Sequence, residues 1–184
     1  MSQAIVDAFK KFDWQKIIDY ANSLSDLNDA QLRFIKGLAI EIATETLSNS
    51  GMKYVGEKHR DFEWDDFDID VELKSIVSQG MYNKKGEVKT LPGIRLNNSM
   101  GTNKETLDPD TIADWLLVVL RDGAFVVPKQ TVLSKAKHCG DGWDLRLSKD
   151  DITEVSGRIT RQKEYNLQLS EGIKGAIKQS LSSL

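Results

Sequence analysis

The sequence predicts a mixed α/β domain, and three observations carry that prediction. Apolar residues recur at helical spacing through the first part of the chain. The period then switches to two between Tyr54 and Val77, and two dense apolar runs, Trp115 to Leu120 and Ala124 to Val127, flank an Arg121-Asp122-Gly123 turn. With 184 residues, 40% of them apolar, and only three prolines, the chain is expected to form one domain over 1–184 without a linker.

Residues 2–24 read as helical with a break near Asp13, whose side chain can cap a second segment presenting Trp14, Ile17, Ile18 and Ala21. Ile5, Val6, Phe9, Phe12, Trp14, Ile17 and Ile18 are more large apolar groups than one side of a short helical hairpin needs, so residues 1–24 are the expected contact of a homodimer. Packing inside the monomer is the alternative. Next, Asn28 with Gln31 resembles a capping box. Ile35, Leu38, Ala39, Ile42 and Ala43 form the expected buried stripe of a longer helix, and Gly51 is placed to end it.

Phe62 and Trp64 alternate with Asp61 and Glu63. Phe67, Ile69, Val71 and Leu73 alternate with Asp68, Asp70, Glu72 and Lys74. A hairpin turning near Asp65 and Asp66 would gather the apolar residues on one face and the acids on the other. Residues 78–107 are polar and carry Gly86, Pro92, Gly93 and Gly101, which suggests extended hairpins and a long loop. Asp108-Pro109 can open a short helix. The runs 115–120 and 124–127 read as buried neighbouring strands at the centre of the sheet, and Trp115 as core. Residues 143–147 read as an edge strand, and the segment from Ser170 as an amphipathic helix with Ile173, Ala176, Ile177 and Leu181.

Composition narrows the chemistry. One cysteine, Cys139, excludes an internal disulfide and a cysteine zinc cluster, and the two histidines, His59 and His138, stand far apart. Any metal must rest on carboxylates. His138 and Cys139, beside Gly140 and Gly142, read as a turn. The net charge of −3 leaves nucleic acid open as a partner, because acids gathered at a metal site lower the total without removing basic patches elsewhere. No run approaches the roughly 18 apolar residues of a membrane span, and no basic-then-apolar leader is seen, so a cytoplasmic protein without membrane contact is expected.

Glu72 and Lys74 stand two apart on the predicted strand and leave the same face. If the hairpin is symmetric about residues 66 and 67, Asp61 lies opposite Glu72. Two carboxylates then converge with one amine, an arrangement suited to a divalent cation bound by hard oxygens with positions left open. The Leu73 carbonyl would complete the shell, and Lys74 would orient or deprotonate a water and stabilise negative charge. The alternative is an exposed strand face with cross-strand ion pairs worth about 0.2–1 kcal/mol each. Against it, four acids and a lysine on one ribbon repel more than they pair. Asp70 is a candidate for an accessory role behind the first ligands.

The order Asp61, then Glu72-Leu73-Lys74, resembles the signature of the PD-(D/E)XK nucleases. Glu-Leu-Lys-Ser at 72–75, followed after a polar stretch by DWLLVVLRDGAF, is most similar to the PvuII-type branch of type II restriction endonucleases. The resemblance covers roughly residues 37–127. It departs in one place, since His59-Arg60 stand where a proline is usual, and Glu63, Asp65, Asp66, Asp68 and Asp70 are alternatives for the first acid. The resemblance implies a restriction-endonuclease-like mixed sheet flanked by helices. It also implies Mg2+, with Mn2+ able to substitute, and a homodimer cutting both strands of double-stranded DNA at a short sequence. A helix acid ahead of the hairpin is common in such proteins and points to Glu41, with Glu45 its rival and a solvated surface acid the alternative. Lys84, Lys85, Lys89 and Arg95 are candidates for phosphate contacts, and Asn97, Asn98, Ser99 and Asn103 for base contacts, against plain solvated loops. A repair nuclease or junction resolvase, or a non-catalytic DNA-binding module, is the competing reading of the same pattern.

Overall fold

Two helices open the chain, α1 (Ser2–Phe9) and α2 (Trp14–Ser23). They break where expected: the Asp13 side chain accepts from the Lys16 N–H and caps α2. Trp14 Nε1 donates to the Phe9 carbonyl across the joint at 2.9 Å, and the Trp14 ring stacks on Phe12. The computed structural model describes residues 2–24, 32–57, 60–96, 107–140 and 142–160. The expected cap at Asn28 and Gln31, the residues Asn97, Asn98, Ser99 and Asn103, and the helix expected from Ser170 lie outside them.

The apolar side chains of the first two helices do not form a free surface. Ile5, Val6, Phe9, Phe12, Trp14, Ile17 and Ile18 are all buried within the monomer, packed with Trp64, Trp115 and the inner face of the main sheet. The large apolar groups of this segment belong to the core of the monomer. Two aromatic-rich short helices are needed to cover a wide sheet.

The third helix, α3 (Leu32–Ser48), buries a different stripe from the one expected. Ile40, Thr44 and Ser48 are buried with Ala39 and Leu47 against the core, while Ile35 and Ile42 are exposed. The reason is local. Thr44 Oγ1 donates to the Ile40 carbonyl at 2.7 Å and Ser48 Oγ to the Glu45 carbonyl at 3.0 Å, so both hydroxyls are satisfied inside the helix and can enter the core. A hydropathy pattern counts them as polar and turns the helix the wrong way. Asn49 and Gly51, both with positive φ, end it.

Strands β1 (Lys53–Glu57), β2 (Arg60–Trp64) and β3 (Ile69–Ile76) form an antiparallel meander. The register pairs Phe62 with Val71 and Trp64 with Ile69, the symmetry the alternation predicted. Phe67, expected in the strand, sits instead in the turn with its ring edge-on to Trp64. From β3 the chain crosses over through an extended hairpin bridged at Tyr82 and Val88, the short β4 (Ile94–Leu96) and a 3-10 turn at Pro109–Thr111 capped by Asp108. β5 (Trp115–Leu120) then pairs parallel to β3, and β6 (Gly123–Pro128) antiparallel to β5. After α4 (Lys129–Lys135) come β7 (Ala136–Cys139), β8 (Gly142–Leu145) and β9 (Thr153–Glu154).

The main sheet is six-stranded, in the order β1-β2-β3-β5-β6-β9, and mixed through its one parallel pair. The segment read as an edge strand, β8, is the middle strand of a second sheet, β4-β8-β7. Neither α4 nor β7 was anticipated, and His138 and Cys139 are strand residues rather than a turn. β5 explains why its sequence is continuously apolar. Trp115, Leu117 and Val119 enter the core under the N-terminal helices, while Leu116, Val118 and Leu120 enter a second core with Ile94, Leu96, Trp143 and Leu145. No helix among the described residues is long and apolar enough to cross a membrane.

The rotation of α3 is testable by an adjacent pair. Ile40→Ala should cost about 2–4 kcal/mol in urea unfolding, as deletion of a buried side chain does. Ile42→Ala should stay within about 0.5 kcal/mol.

Candidate active site

The β2–β3 ladder runs from Trp64–Ile69 to Phe62–Val71, and Asp61 and Glu72 stand one step beyond. Continued register would next place Leu73 opposite Arg60. Instead the Leu73 N–H donates to Asp61 Oδ2 at 2.6 Å. The carboxylate takes a hydrogen bond that the ladder would otherwise use, and the two strands part at this point. Asp61 is thereby fixed beside Glu72.

Glu72 is among the few buried charged residues, 7% exposed. Its neighbours on that face are Leu96, Ile112, Ala113, Leu116 and Val132, and its carboxylate bonds the ammonium of Lys74. Glu41 approaches from α3, close enough that Tyr54 and the charges of Glu72 and Lys74 act on it. The helix rotation that the internally bonded Thr44 and Ser48 permit turns Glu41 to this side. Burial, with the Glu72 charge, holds the Glu41 carboxyl above its ordinary range in spite of Tyr54 and Lys74. The Asp61 carboxyl is pushed up to about 7, by burial first and then by the charges of Glu72 and Glu41. The Leu73 N–H and Lys74 pull the other way.

The competing acids are engaged elsewhere. Arg60 reaches Glu57 at 2.6 Å, Glu63 at 3.0 Å and Asp70 at 3.4 Å, and Lys53 pairs with Asp65. Asp66 and Asp68 are exposed in the hairpin turn. Asp70 shares the Glu72 face of β3, but its partners are Arg60 and, through its own N–H, Asp114 at 3.1 Å. The fold therefore brings together Asp61, Glu72, Lys74 and Glu41, and leaves Asp70 in a separate network. Lys84 and Lys85 are exposed in the turn after Asn83, and Arg95 lies on β4 paired with Asp144 at 2.8 Å. Glu45 is not among the groups acting on Asp61 or Glu41. Tyr54 was not singled out from sequence, because nothing local to it marks its influence on Glu41 of α3.

Among the described residues no three acidic, histidine or cysteine side chains already close into a metal-ligand group. The donor chemistry nonetheless fits a hard divalent cation: three carboxylates, two of them raised by burial and mutual repulsion, share one amine. A dication at Asp61 and Glu72 would relieve the repulsion that now raises Asp61. No protein-family profile matches the chain, and no curated protein sequence matches it at a significant level.

The raised Asp61 group has a measurable consequence for stability. Its native pKa lies above the unfolded value of 3.8, so between about pH 4 and 7 the native state holds the extra proton and stability falls as pH rises. Asp61→Asn keeps an acceptor for Leu73 and removes the charge. The variant should be more stable than the parent at pH 8 in metal-free buffer by at least about 1.4 kcal/mol, the worth of one pKa unit. The gain should shrink through pH 7 to 4 and vanish below. A gain that grows on acidification would contradict this account.

Proposed function

We propose that the protein is a Mg2+-dependent endodeoxyribonuclease of the PD-(D/E)XK kind, with Asp61, Glu72 and Lys74 as its catalytic residues. The observation that carries the reading is the meeting of Asp61 and Glu72 where β2 and β3 part, with Lys74 on Glu72 and Glu41 beside them. The mixed order β1-β2-β3-β5, a meander followed by a parallel strand with α3 packed on it, supports a restriction-endonuclease-like core.

Asp61, Glu72 and the Leu73 carbonyl would hold the cation, with Glu41 as a further oxygen donor. When bound, Mg2+ or Mn2+ supplies Lewis-acid stabilisation of charge building on a phosphate. The remaining steps belong to side chains. Asp61 Oδ2 is taken by the Leu73 N–H, which leaves Oδ1 as the oxygen that would serve as a ligand once the carboxyl is deprotonated. Lys74, held by Glu72, presents its ammonium where it can donate to a phosphate oxygen or orient the attacking water. The apolar wall of Leu96, Ile112 and Leu116 behind Glu72 keeps the surroundings dry and strengthens each of these interactions.

Action at a short duplex sequence, as a type II restriction enzyme, is the favoured form. Two strands then call for two copies of the site, as a homodimer supplies. Plasmid digestion with Mg2+ tests the reading. Discrete bands support restriction; cutting confined to branched or single-stranded DNA would shift the substrate to repair intermediates; Mg2+-independent DNA binding without cutting would leave a non-catalytic module. Glu72→Ala and Lys74→Ala should each lower cleavage by at least about 100-fold while DNA affinity in Ca2+ changes little, because both groups act mainly in the transition state. Sedimentation with and without DNA measures the assembly: a constitutive dimer is expected near 41 kDa, twice the 20.7 kDa chain.

A further inference from the structure

The face of β3 that carries Glu72 and Lys74 continues to Ile76, two residues or about 7 Å further along the strand. Ile76 packs against the second core, which includes Met81 and Tyr82 and has Val88 beside them. The hairpin bridged at Tyr82 and Val88 therefore stands on the same side of the sheet as the candidate site. It is tightly built. Asn83 Oδ1 accepts the N–H groups of Lys85 at 2.8 Å and Glu87 at 3.1 Å. The Gly86 N–H donates to the Asn83 carbonyl at 3.1 Å, with Gly86 at φ 84°. The base of the hairpin is fixed to the strands beneath, where Asp122 Oδ1 accepts the Met81 N–H and Glu154 the Tyr82 hydroxyl.

These contacts also sort the charges. The acids that touch the hairpin are engaged in holding it, Asp122 and Glu154 at its base and Glu87 through the Asn83 side-chain amide at 2.9 Å. The cations are left facing outward. Lys84 and Lys85 are exposed at the tip, and the exposed Arg158 comes alongside from beyond β9, its Nη2 partner Nη1 3.5 Å from where a Cβ on Gly86 would stand. Among the described residues no carboxylate pairs with any of the three.

We infer that Lys84, Lys85 and Arg158 form a contact for the phosphate backbone of duplex DNA, held by the hairpin on the face of Glu72 and Lys74 and beyond them along β3. The inference rests on the reading of that cluster as a nuclease site. Three cations side by side without carboxylates repel one another, and a polyanion relieves that repulsion while releasing its own counterions. The bonded turn holds both lysines in place, so less freedom is lost on binding than in an open loop. Contacts of this kind position a duplex without reading its bases.

Anisotropy of the full chain with a labelled duplex in Ca2+, across a series of salt concentrations, tests the inference. Each phosphate contact steepens the fall of log K with log salt by about 0.9. Lys84→Gln, Lys85→Gln and Arg158→Gln should each make the slope shallower by about that amount, and the triple variant by about three times as much, on any duplex sequence. Lys11→Gln removes an equal charge from the joint of α1 and α2, which cover the other face of the sheet, and should leave the slope unchanged. Parental slopes in all three single variants overturn the inference. So does a Lys11→Gln slope that falls as far as theirs, since net charge alone is then acting. Where the parent binds and cuts but these variants keep its slope, the phosphate contact alone fails. A parent that binds no duplex removes the nuclease reading and the contact together.

Discussion

The register of the β2–β3 hairpin is the constraint on which the rest of the molecule depends. Side chains alternate along a strand, so a slip of one residue would send Asp61 and Glu72 into the core and Phe62 and Val71 into water. The apolar face prevents that slip: Phe62, Trp64, Ile69, Val71 and Leu73 all lie in the core beneath the N-terminal helices. Trp64 is tied further, with its ring against Phe9, Phe12 and Phe67 and its Nε1 donating to the Ser50 carbonyl. Packing on one face thus sets the positions of charges on the other. The aromatic cluster around Trp64 and the acids around Glu72 are two sides of one ribbon.

Those acids are a cost that the fold carries. Asp61 and Glu41 are both raised by burial and by like charge, which means the folded chain holds them against their preference for water. The offset comes from two cores, one on each face of the central strands, and from β5, whose six residues are all buried. The surrounding acids are treated differently. Arg60 gathers Glu57, Glu63 and Asp70, and Lys53 takes Asp65, so ordinary surface pairing disposes of the charges that do not meet at Glu72. The contrast between paired acids and strained ones separates the candidate site from its charged surroundings, a distinction that counting acids along the chain does not make.

Irregularities in the regular elements also converge on the site. The ladder between β2 and β3 stops where the Asp61 carboxylate takes the Leu73 N–H. The rotation of α3, made possible by Thr44 and Ser48 bonding back to their own helix, carries Glu41 to the same place. Each departs from the simplest form of its element, and each brings an oxygen toward one small region. Such departures are frequent where side chains must be aimed rather than merely packed.

The sequence by itself determined the elements whose physics is local or periodic. The break at Asp13, the hairpin register that sets Asp61 against Glu72, the pairing of Lys74 with Glu72 on one face, and the two buried strands at 115–120 and 124–127 all follow from spacing alone, because alternation and turn symmetry fix them within a dozen residues. Tertiary structure decided what spacing does not encode. The N-terminal apolar residues became core because the sheet offered a face to cover, and α3 turned because its hydroxyls were satisfied internally. The 143–147 strand joined a second sheet because β4 and β7 came alongside it. The approach of Glu41 to Asp61 and Glu72 rests on contact between a helix and a hairpin well separated in the chain. Burial and mutual charge act there through space, and no single sequence window contains both partners.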